Sequence, residues 1–286
     1  ALLTAAVPAW AAGRPPNVVV ILADDLGYGD LACYGGTGVE TPATDRLAKE
    51  GMRFTDAHTP ATVCSPTRYG LLTGAYPWRG PLGGNIAGVS DPLAITPGSP
   101  TLPGMLRAAG YRTGCVGKWH LGIGDKRTDW NAPLRPGPNA VGFDSYYGIP
   151  TSHNWPPFVW VEDDKVLGLP PGTVIPDDLP PTGKGSPRTR VDDEVGPHLA
   201  GKAVQFIEDN RDRPFFLYFP TAAVHGPITP AKAFQGKSAR RAYGDFVMEF
   251  DWAVGRVLDA LDRLKLADDT LVVVTSDNGG LPADSN

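Results

Sequence analysis

Two short apolar runs, one towards each end of the chain, limit most strongly what this sequence can fold into. Residues 17–23 and 271–275 are rich in valine and carry no charge. A continuous apolar run of this length predicts a strand buried on both faces, as in a parallel sheet. Further strands are predicted at 111–117 and 214–219, and the longest amphipathic helix at 243–264. This alternation predicts an α/β fold, with a largely parallel mixed sheet sandwiched between helices.

Weaker signals predict the remaining elements. Glycine or a capping residue bounds the predicted helices at 41–51, 102–110 and 195–210. Phe54 to Ala57 reads as a short strand, and residues 123–194 read as loop with an aromatic-rich patch. A loop of that length in a compact domain is more often functional surface than linker.

Composition excludes several classes of protein. With 286 residues and 42% hydrophobic content, the chain can bury a full core, as one large domain or two small ones. A net charge of −5 argues against a nucleic-acid surface or a polybasic membrane patch. Three cysteines are too few and too odd in number for a disulfide scaffold.

The first residues predict export. Residues 1–12 resemble the end of a signal peptide's apolar region, and Ala9-Trp10-Ala11 supplies a small-x-small cleavage site. The run is too short to span a bilayer. We therefore expect residues 1–12 to be a signal-peptide remnant and the protein to be secreted or periplasmic.

Oxygen-bearing side chains follow both apolar runs. Asp24 and Asp25 follow the first run, and Asp277 and Asn278 follow the second. Ligands collect beyond the carboxyl ends of parallel strands, and oxygen donors suit Ca²⁺ or Mg²⁺ better than zinc. The alternatives are a helix N-cap for the first pair and an ordinary turn for the second.

A cysteine stands at a predicted helix start. Pro66 is tolerated in a first turn, so Cys64 falls at the N-terminus, where free N–H groups favour an anion. Arg68 returns to the same side one turn later and can bind two oxygens of that anion. The alternative is a small buried thiol beside a surface arginine, and spacing alone leaves the two interpretations even.

Three basic residues follow predicted strands. Lys118 and His120 are two positions apart, so an extended backbone would point them to one face. His225 precedes Gly226-Pro227. Together they could stabilise charge and transfer protons near neutral pH; each taken singly is more often an ordinary polar residue.

The segment Cys64-Ser-Pro-Thr-Arg68, with Leu72-Thr-Gly74 after it, resembles the signature of the type I sulfatases of the alkaline phosphatase superfamily. In that family the cysteine is oxidised by a maturation enzyme to formylglycine, an aldehyde whose hydrate is the nucleophile. The resemblance runs from residue 17 to 280 and implies Ca²⁺, or alternatively Mg²⁺. The implied roles are metal ligation by Asp24, Asp25, Asp277, Asn278 and the modified Cys64; substrate binding by Ser152, His153 and Lys118; and catalysis by Cys64, Arg68, Lys118, His120 and His225.

The resemblance also implies a mechanism of sulfate-ester hydrolysis. The hydrate oxygen attacks sulfur, with Asp277 as a candidate proton acceptor and His225 as the acid for the leaving alcohol. His120 then takes a proton from the second hydroxyl, which expels sulfate. The implied substrate is an aryl sulfate or a sulfated carbohydrate, with neither nucleic acid nor a membrane span involved.

Two departures and two alternatives accompany this interpretation. The family continues to a further active-site lysine and a smaller C-terminal domain, whereas this chain stops at Asn286; residues 17–286 are expected to be the N-terminal part of a catalytic domain, with little activity by itself. The alternatives are a phosphonate or phosphate-ester hydrolase with the same site, and a non-catalytic sulfated-glycan binder. Trp155, Phe158 and Trp160 could stack on a sugar or aryl group or could pack in the core.

Overall fold

A central sheet organises the molecule. The computed structural model describes residues 14–180 and 182–280, and within them one seven-stranded sheet has the order β5-β4-β3-β2-β6-β1-β7. Its strands are β1 (Asn17–Ala23), β2 (Arg112–Lys118), β3 (Ser145–Ile149), β4 (Trp160–Glu162), β5 (Lys165–Leu167), β6 (Phe215–Pro220) and β7 (Thr270–Ser276). The strands from β7 to β3 pair in parallel, and β4 and β5 add antiparallel pairings at one edge. The predicted mixed, largely parallel sheet is confirmed.

Helices cover both faces of the sheet. The described part of the chain contains α1 (Pro42–Glu50), α2 (Cys64–Thr73), α3 (Leu102–Ala108), α4 (Val195–Asp209) and α5 (Arg241–Arg263). Val19 and Ile21 of β1 pack on the side of α1, α4 and α5, whereas Val20 and Leu22 pack on the side of α2 and α3. Burying each such side chain contributes about 1.5–3 kcal/mol. The apolar run of β1 is therefore explained by burial on both faces.

β7 differs from the prediction of a strand buried on both faces. Its residues alternate between half-buried and exposed, with Leu271 56% and Val273 38% exposed. Val272 and Val274 point the other way and pack against the core. The reason is position, since β7 is the outer strand of the described sheet and pairs there only with β1.

Two other predictions of local structure were wrong. Residues 54–57 form no strand, because Phe54 is largely exposed and the segment pairs with no other strand of the described chain. The supposed loop at 123–194 contains β3, β4 and β5, and the last two have three residues each. Strands this short carry too few alternations to give a sequence signal.

The predicted signal-peptide remnant at 1–12 lies outside the described residues. Among the residues that are described, none of the helices combines the length and the apolar character that crossing a bilayer requires.

α5 carries a buried carboxylate that fixes the segment after the strand β6. The N–H of Ala231 donates to Oε2 of Glu249 at 2.5 Å, and Glu249 is only 2% exposed. Burial, together with the charge of Asp193, raises the pKa of this carboxyl to about 7 and outweighs the hydrogen bond from Ala231, which lowers it. The folded state therefore prefers the protonated acid.

This burial makes stability depend on pH. As pH rises from the ordinary pKa of 4.5 to about 7, the unfolded chain loses the proton first. The free energy of unfolding should therefore fall by about 3 kcal/mol across this window. Glu249→Gln should reduce the pH dependence by this amount in urea unfolding curves recorded at pH 5 and pH 7.5, and the raised pKa of Asp277 leaves a slope of the same sign. Glu162→Gln, at an exposed position, is the control, and parallel curves for the wild type and Glu249→Gln would contradict the assignment.

Candidate active site

Strand register brings the acidic side chains together. β1 and β7 run parallel with Ala23 opposite Ser276, so the following residues, Asp24 and Asp277, lie side by side. The N–H of Asp277 donates to the carbonyl of Ala23 at 3.1 Å. The N–H of Asp25 donates to Oδ1 of Asp277, also at 3.1 Å. Two segments about 250 positions apart in sequence thus form one cluster at the carboxyl edge of the sheet.

Three oxygen atoms in this cluster are left without hydrogen-bond donors among the described residues. They are Oδ1 of Asp24, Oδ2 of Asp25 and Oδ1 of Asn278, and all are buried. The amide of Asn278 is held close, since its Nδ2 donates to Oδ1 of Asp25 at 2.6 Å. Leaving buried acceptors unsatisfied is costly, and carboxylate and amide oxygens are the ligands that Ca²⁺ and Mg²⁺ take. The donor set therefore fits a hard divalent cation.

Two buried cations face the same carboxylates. Nζ of Lys118, the last residue of β2, lies 2.5 Å from Oδ2 of Asp24. Nη2 of Arg68 lies 2.7 Å from Oδ2 of Asp277 and 3.3 Å from Oδ1 of Asp24. Nη1 of Arg68 donates to the carbonyl of Lys118 at 2.9 Å. Neither cation has exposed surface, so removing either one would leave an uncompensated charge in the interior.

The pKa values of the three aspartates diverge. Burial acts to raise the pKa of Asp24, but Lys118 and Arg68 outweigh it and hold that pKa far below its usual range. Burial and the neighbouring Asp24 raise the pKa of Asp25, and they raise the pKa of Asp277 to about 7. The two protein cations therefore neutralise Asp24 but leave the pKa values of Asp25 and Asp277 raised. A divalent cation would supply the missing positive charge.

Cys64 lies at the first position of α2, as its spacing from Pro66 predicts. Its Sγ lies within 4.8 Å of ligand atoms of Asp24 and Asp277, and likewise of Asp25 and His225. Burial raises the pKa of its thiol to about 12 despite the nearby Lys118. A thiol with such a pKa is protonated at neutral pH and is a weak nucleophile.

His120 is buried just beyond Lys118. Neither ring nitrogen has a hydrogen-bond partner among the described residues. Burial lowers the pKa of His120 well below its ordinary value, and the charges of Lys118 and Arg68 lower it further. Its backbone has a φ of +54°, and Asp25 has +61°. Such left-handed conformations are costly for residues other than glycine and concentrate at functional sites.

His225 is the most accessible of these groups, with its side chain 16% exposed. Its Nδ1 lies 2.6 Å from the carbonyl of Gly226, and since a carbonyl only accepts, Nδ1 carries the hydrogen. Its Nε2 lies 3.4 Å from Oγ of Ser152 and 3.7 Å from Oδ2 of Asp25. A cavity of about 450 Å³ opens beside His225.

His153 is placed differently from the other predicted residues. It is buried, with Nε2 2.9 Å from Oγ1 of Thr229 and Nδ1 3.3 Å from Nη1 of Arg190. Both ring nitrogens are thus engaged by the protein. Burial lowers the pKa of His153 to about 3, with Arg190 as a second cause. Of the predicted pair, Ser152 is therefore the one whose side chain reaches His225.

Sequence reasoning missed Arg190 and Thr229. Both lie in irregular segments, and each reveals its role only through contacts with residues far away in sequence. Of the three aromatic residues considered as a stacking surface, Phe158 and Trp160 are buried. Trp155 is half-buried and packs edge-on against His120, with ring centroids 5.4 Å apart.

Comparison with known proteins gives the relationships of the chain. The family model described as Sulfatase matches residues 16–284. An N-acetylgalactosamine-6-O-sulfatase of Bacteroides thetaiotaomicron is 39% identical, over 93% of this chain and 59% of its own length. Human arylsulfatase A is 37% identical, over 97% of this chain and 55% of its own length.

A solved structure supports the relationship found by sequence. A Bacteroides thetaiotaomicron protein, described in connection with the metabolism of multiple glycosaminoglycans, superposes with a TM-score of 0.88 at 37% identity. The match covers 94% of this chain and 64% of that one. The chain spans a little over half the length of the curated relatives it matches. With a family match over nearly all of its residues, this chain belongs to the sulfatase family.

Proposed function

We propose that this chain hydrolyses sulfate esters, of an aryl alcohol or a carbohydrate, at the cluster around Cys64. The observation that carries the proposal is a buried cysteine at a helix start, within 4.8 Å of two aspartates on neighbouring strand ends. Arg68 and Lys118 are buried beside it. Such an arrangement suits a tetrahedral anion that must be held while one of its bonds to oxygen breaks.

The proposal assigns Cys64 as the precursor of formylglycine. The unmodified thiol, with its pKa near 12, would be a poor nucleophile at neutral pH. Conversion by a maturation enzyme would supply an aldehyde hydrate, whose hydroxyl is the attacking group. Burial of Cys64 supports this assignment, because a reactive aldehyde needs protection from side reactions.

The proposal assigns the metal site to Asp24, Asp25, Asp277 and Asn278, together with the modified Cys64. Ca²⁺ is the proposed ion, with Mg²⁺ as the alternative, because the unsatisfied atoms of Asp24, Asp25 and Asn278 are oxygens. When bound, the ion would neutralise negative charge that develops during the reaction.

The protein itself holds the charged groups of Arg68 and Lys118 in position, with no contribution from solvent. Each is buried and anchored on a carboxylate, so neither needs to reorganise when the charge of the sulfate group shifts. The N-terminus of α2 adds N–H groups that the helix leaves free. These groups orient the sulfate so that one ester bond points away from Cys64.

The histidines carry the proton transfers in this proposal. His225 presents Nε2 towards Ser152 and the open cavity, so its imidazolium form, with a second proton on Nε2, can give that proton to the departing alcohol. His120 is held neutral by burial next to two cations, and a neutral imidazole can accept a proton from the nucleophile. Ser152 would contact the sulfate. The relatives named as sulfatases of N-acetylgalactosamine support a sulfated sugar as substrate, and the predicted export signal supports a secreted or periplasmic location.

One experiment tests the proposal. The full chain is produced with and without a formylglycine-generating enzyme, and the Cys64 peptide is examined by mass spectrometry. We expect the aldehyde only with the enzyme, and hydrolysis only in the converted protein. Matched aryl sulfate, phosphate and phosphonate esters separate the alternatives, with sulfate expected to be preferred. Converted, folded protein that binds sulfated sugars but cleaves none would favour the glycan-binding alternative.

A further inference from the structure

Arg190 is a buried cation that the proposed chemistry does not use. Its side chain is 1% exposed. Nη2 donates to the carbonyl of His153 at 2.7 Å, and Nη1 donates to Oδ1 of Asp192 at 2.8 Å. Nη1 also lies 3.3 Å from Nδ1 of His153. One guanidinium thus contacts both the backbone and the ring of the same residue.

These contacts determine the hydrogen positions on His153. A guanidinium has only donors, so Nδ1 of His153 must accept and the ring hydrogen must lie on Nε2. That hydrogen points to Oγ1 of Thr229, 2.9 Å away. Thr229 follows His225 by four residues. The bond between His153 and Thr229 therefore ties the turn that carries His153 to the segment that carries His225, and the Arg190 contact fixes the direction of that bond.

The same turn contacts both histidines of the site. Ser152 precedes His153, and its Oγ lies 3.4 Å from Nε2 of His225. The N–H of Trp155 donates to the carbonyl of Ser152 at 3.0 Å, and the Trp155 ring packs against His120. A shift of this turn would therefore change the surroundings of His225 and of His120 together.

A neighbouring arginine supplies a natural contrast. Arg188 lies 4.0 Å from the ring centroid of Phe158, and Arg190 lies 5.1 Å from it. Arg188 also contacts Asp192, at 2.8 Å. Its side chain is 46% exposed, however, and none of its contacts reaches His153. The two arginines share the ring and the carboxylate, but only Arg190 holds the turn.

We propose that Arg190 is a positioning residue for the proposed sulfatase reaction: by fixing the backbone and the Nε2–H tautomer of His153, it places Ser152 beside His225. The inference rests on the proposed function for its catalytic consequence. The dependence of the His153 tautomer on Arg190 can be measured whether or not the protein turns over a substrate.

The test compares Arg190→Gln, Arg190→Lys and Arg188→Ala in the full, converted chain. Nitrogen-15 NMR of the histidines should show Nε2–H for His153 in the wild type and in Arg188→Ala, and a tautomer mixture in Arg190→Gln. Glutamine can offer His153 either an N–H or a carbonyl oxygen, whereas Arg190→Lys keeps a group that only donates and should restore part of the signal. Near-UV circular dichroism identifies any variant that fails to fold. If one of the two substitutions at position 190 prevents folding, the other still tests the proposal.

Kinetics supply the second readout. Misplacement of about 1 Å can cost about 100-fold in rate, so Arg190→Gln should lower kcat about 100-fold for an alkyl sulfate, whose leaving group needs the acid. It should lower kcat less for 4-nitrophenyl sulfate, and Arg188→Ala should stay within about threefold of the wild type. An unchanged His153 signal in Arg190→Gln, or equal losses with both esters, would overturn the proposal. A wild type that cleaves neither ester would instead count against the sulfatase function, while the NMR comparison still decides the positioning contact.

Discussion

Replacing Cys64 by alanine should abolish sulfate-ester hydrolysis, with kcat falling by about 10⁶-fold, the size of the loss seen when a covalent nucleophile is removed. The change removes the precursor of the proposed aldehyde and leaves Asp24, Asp277 and the two buried cations in place. Binding of the ester should therefore persist, since Arg68 and Lys118 keep their anchors on the carboxylates. The measurement is single-turnover hydrolysis of 4-nitrophenyl sulfate together with calorimetric binding of the same ester.

Cys33→Ala is the matched control, because Cys33 is also a free cysteine but is only partly buried and lies outside the cluster. It should keep full activity. Activity of Cys64→Ala within tenfold of the wild type would mean that the nucleophile is another group, and the assignment of Cys64 would have to be abandoned.

Substituting Asp25 by asparagine should change stability in opposite directions with and without metal. Without metal, Asp25 is a buried carboxylate beside Asp24, and burial and that neighbour raise its pKa. Removing the charge should therefore raise the melting temperature of the metal-free protein. With Ca²⁺, the wild type should gain about 2.7 kcal/mol at 100 times Kd, whereas a site that has lost one carboxylate should bind on the order of 100-fold more weakly.

Thermal unfolding in chelator and across a calcium titration measures both effects, and hydrolysis should follow the same titration. Asp45→Asn is a suitable control, since Asp45 caps a turn at Cys33, away from the metal ligands. A magnesium titration distinguishes the two candidate ions. An equal calcium-induced shift in the wild type and in Asp25→Asn would show that Asp25 is not a ligand.

The sequence predicted the parts of the fold that depend on long, regular burial. β1 was identified by its continuous apolar run, and α5 by the helical period of its apolar residues over 23 residues. β4 and β5 escaped because three residues are too few to show a period. β7 was predicted as a strand, but its burial on both faces was wrong, because valine-rich composition does not reveal whether a strand lies inside a sheet or at its edge.

Some residues of the candidate site could likewise be predicted from the sequence, and others could not. Asp24 and Asp277 could be brought together from sequence because strand ends share one edge of a parallel sheet. The roles of His153 and Arg190 could not be predicted. The hydrogen-bond partners of a histidine ring depend on loop geometry, which leaves no pattern in the sequence. Lys118 was expected as a catalytic and substrate-binding group, and its salt bridge with Asp24 appeared only in three dimensions.

The distance along the chain between Cys64 and Asp277 has a consequence for the order of events during synthesis. About 210 residues separate them, and ribosomes add roughly 5–20 residues per second, so roughly 10–40 s pass before the partner strand exists. Until β7 docks, Asp277 is absent from its place within 4.8 Å of the cysteine. Under the proposed function, a maturation enzyme would have this interval in which to reach the thiol on the nascent polypeptide, before the sheet is complete.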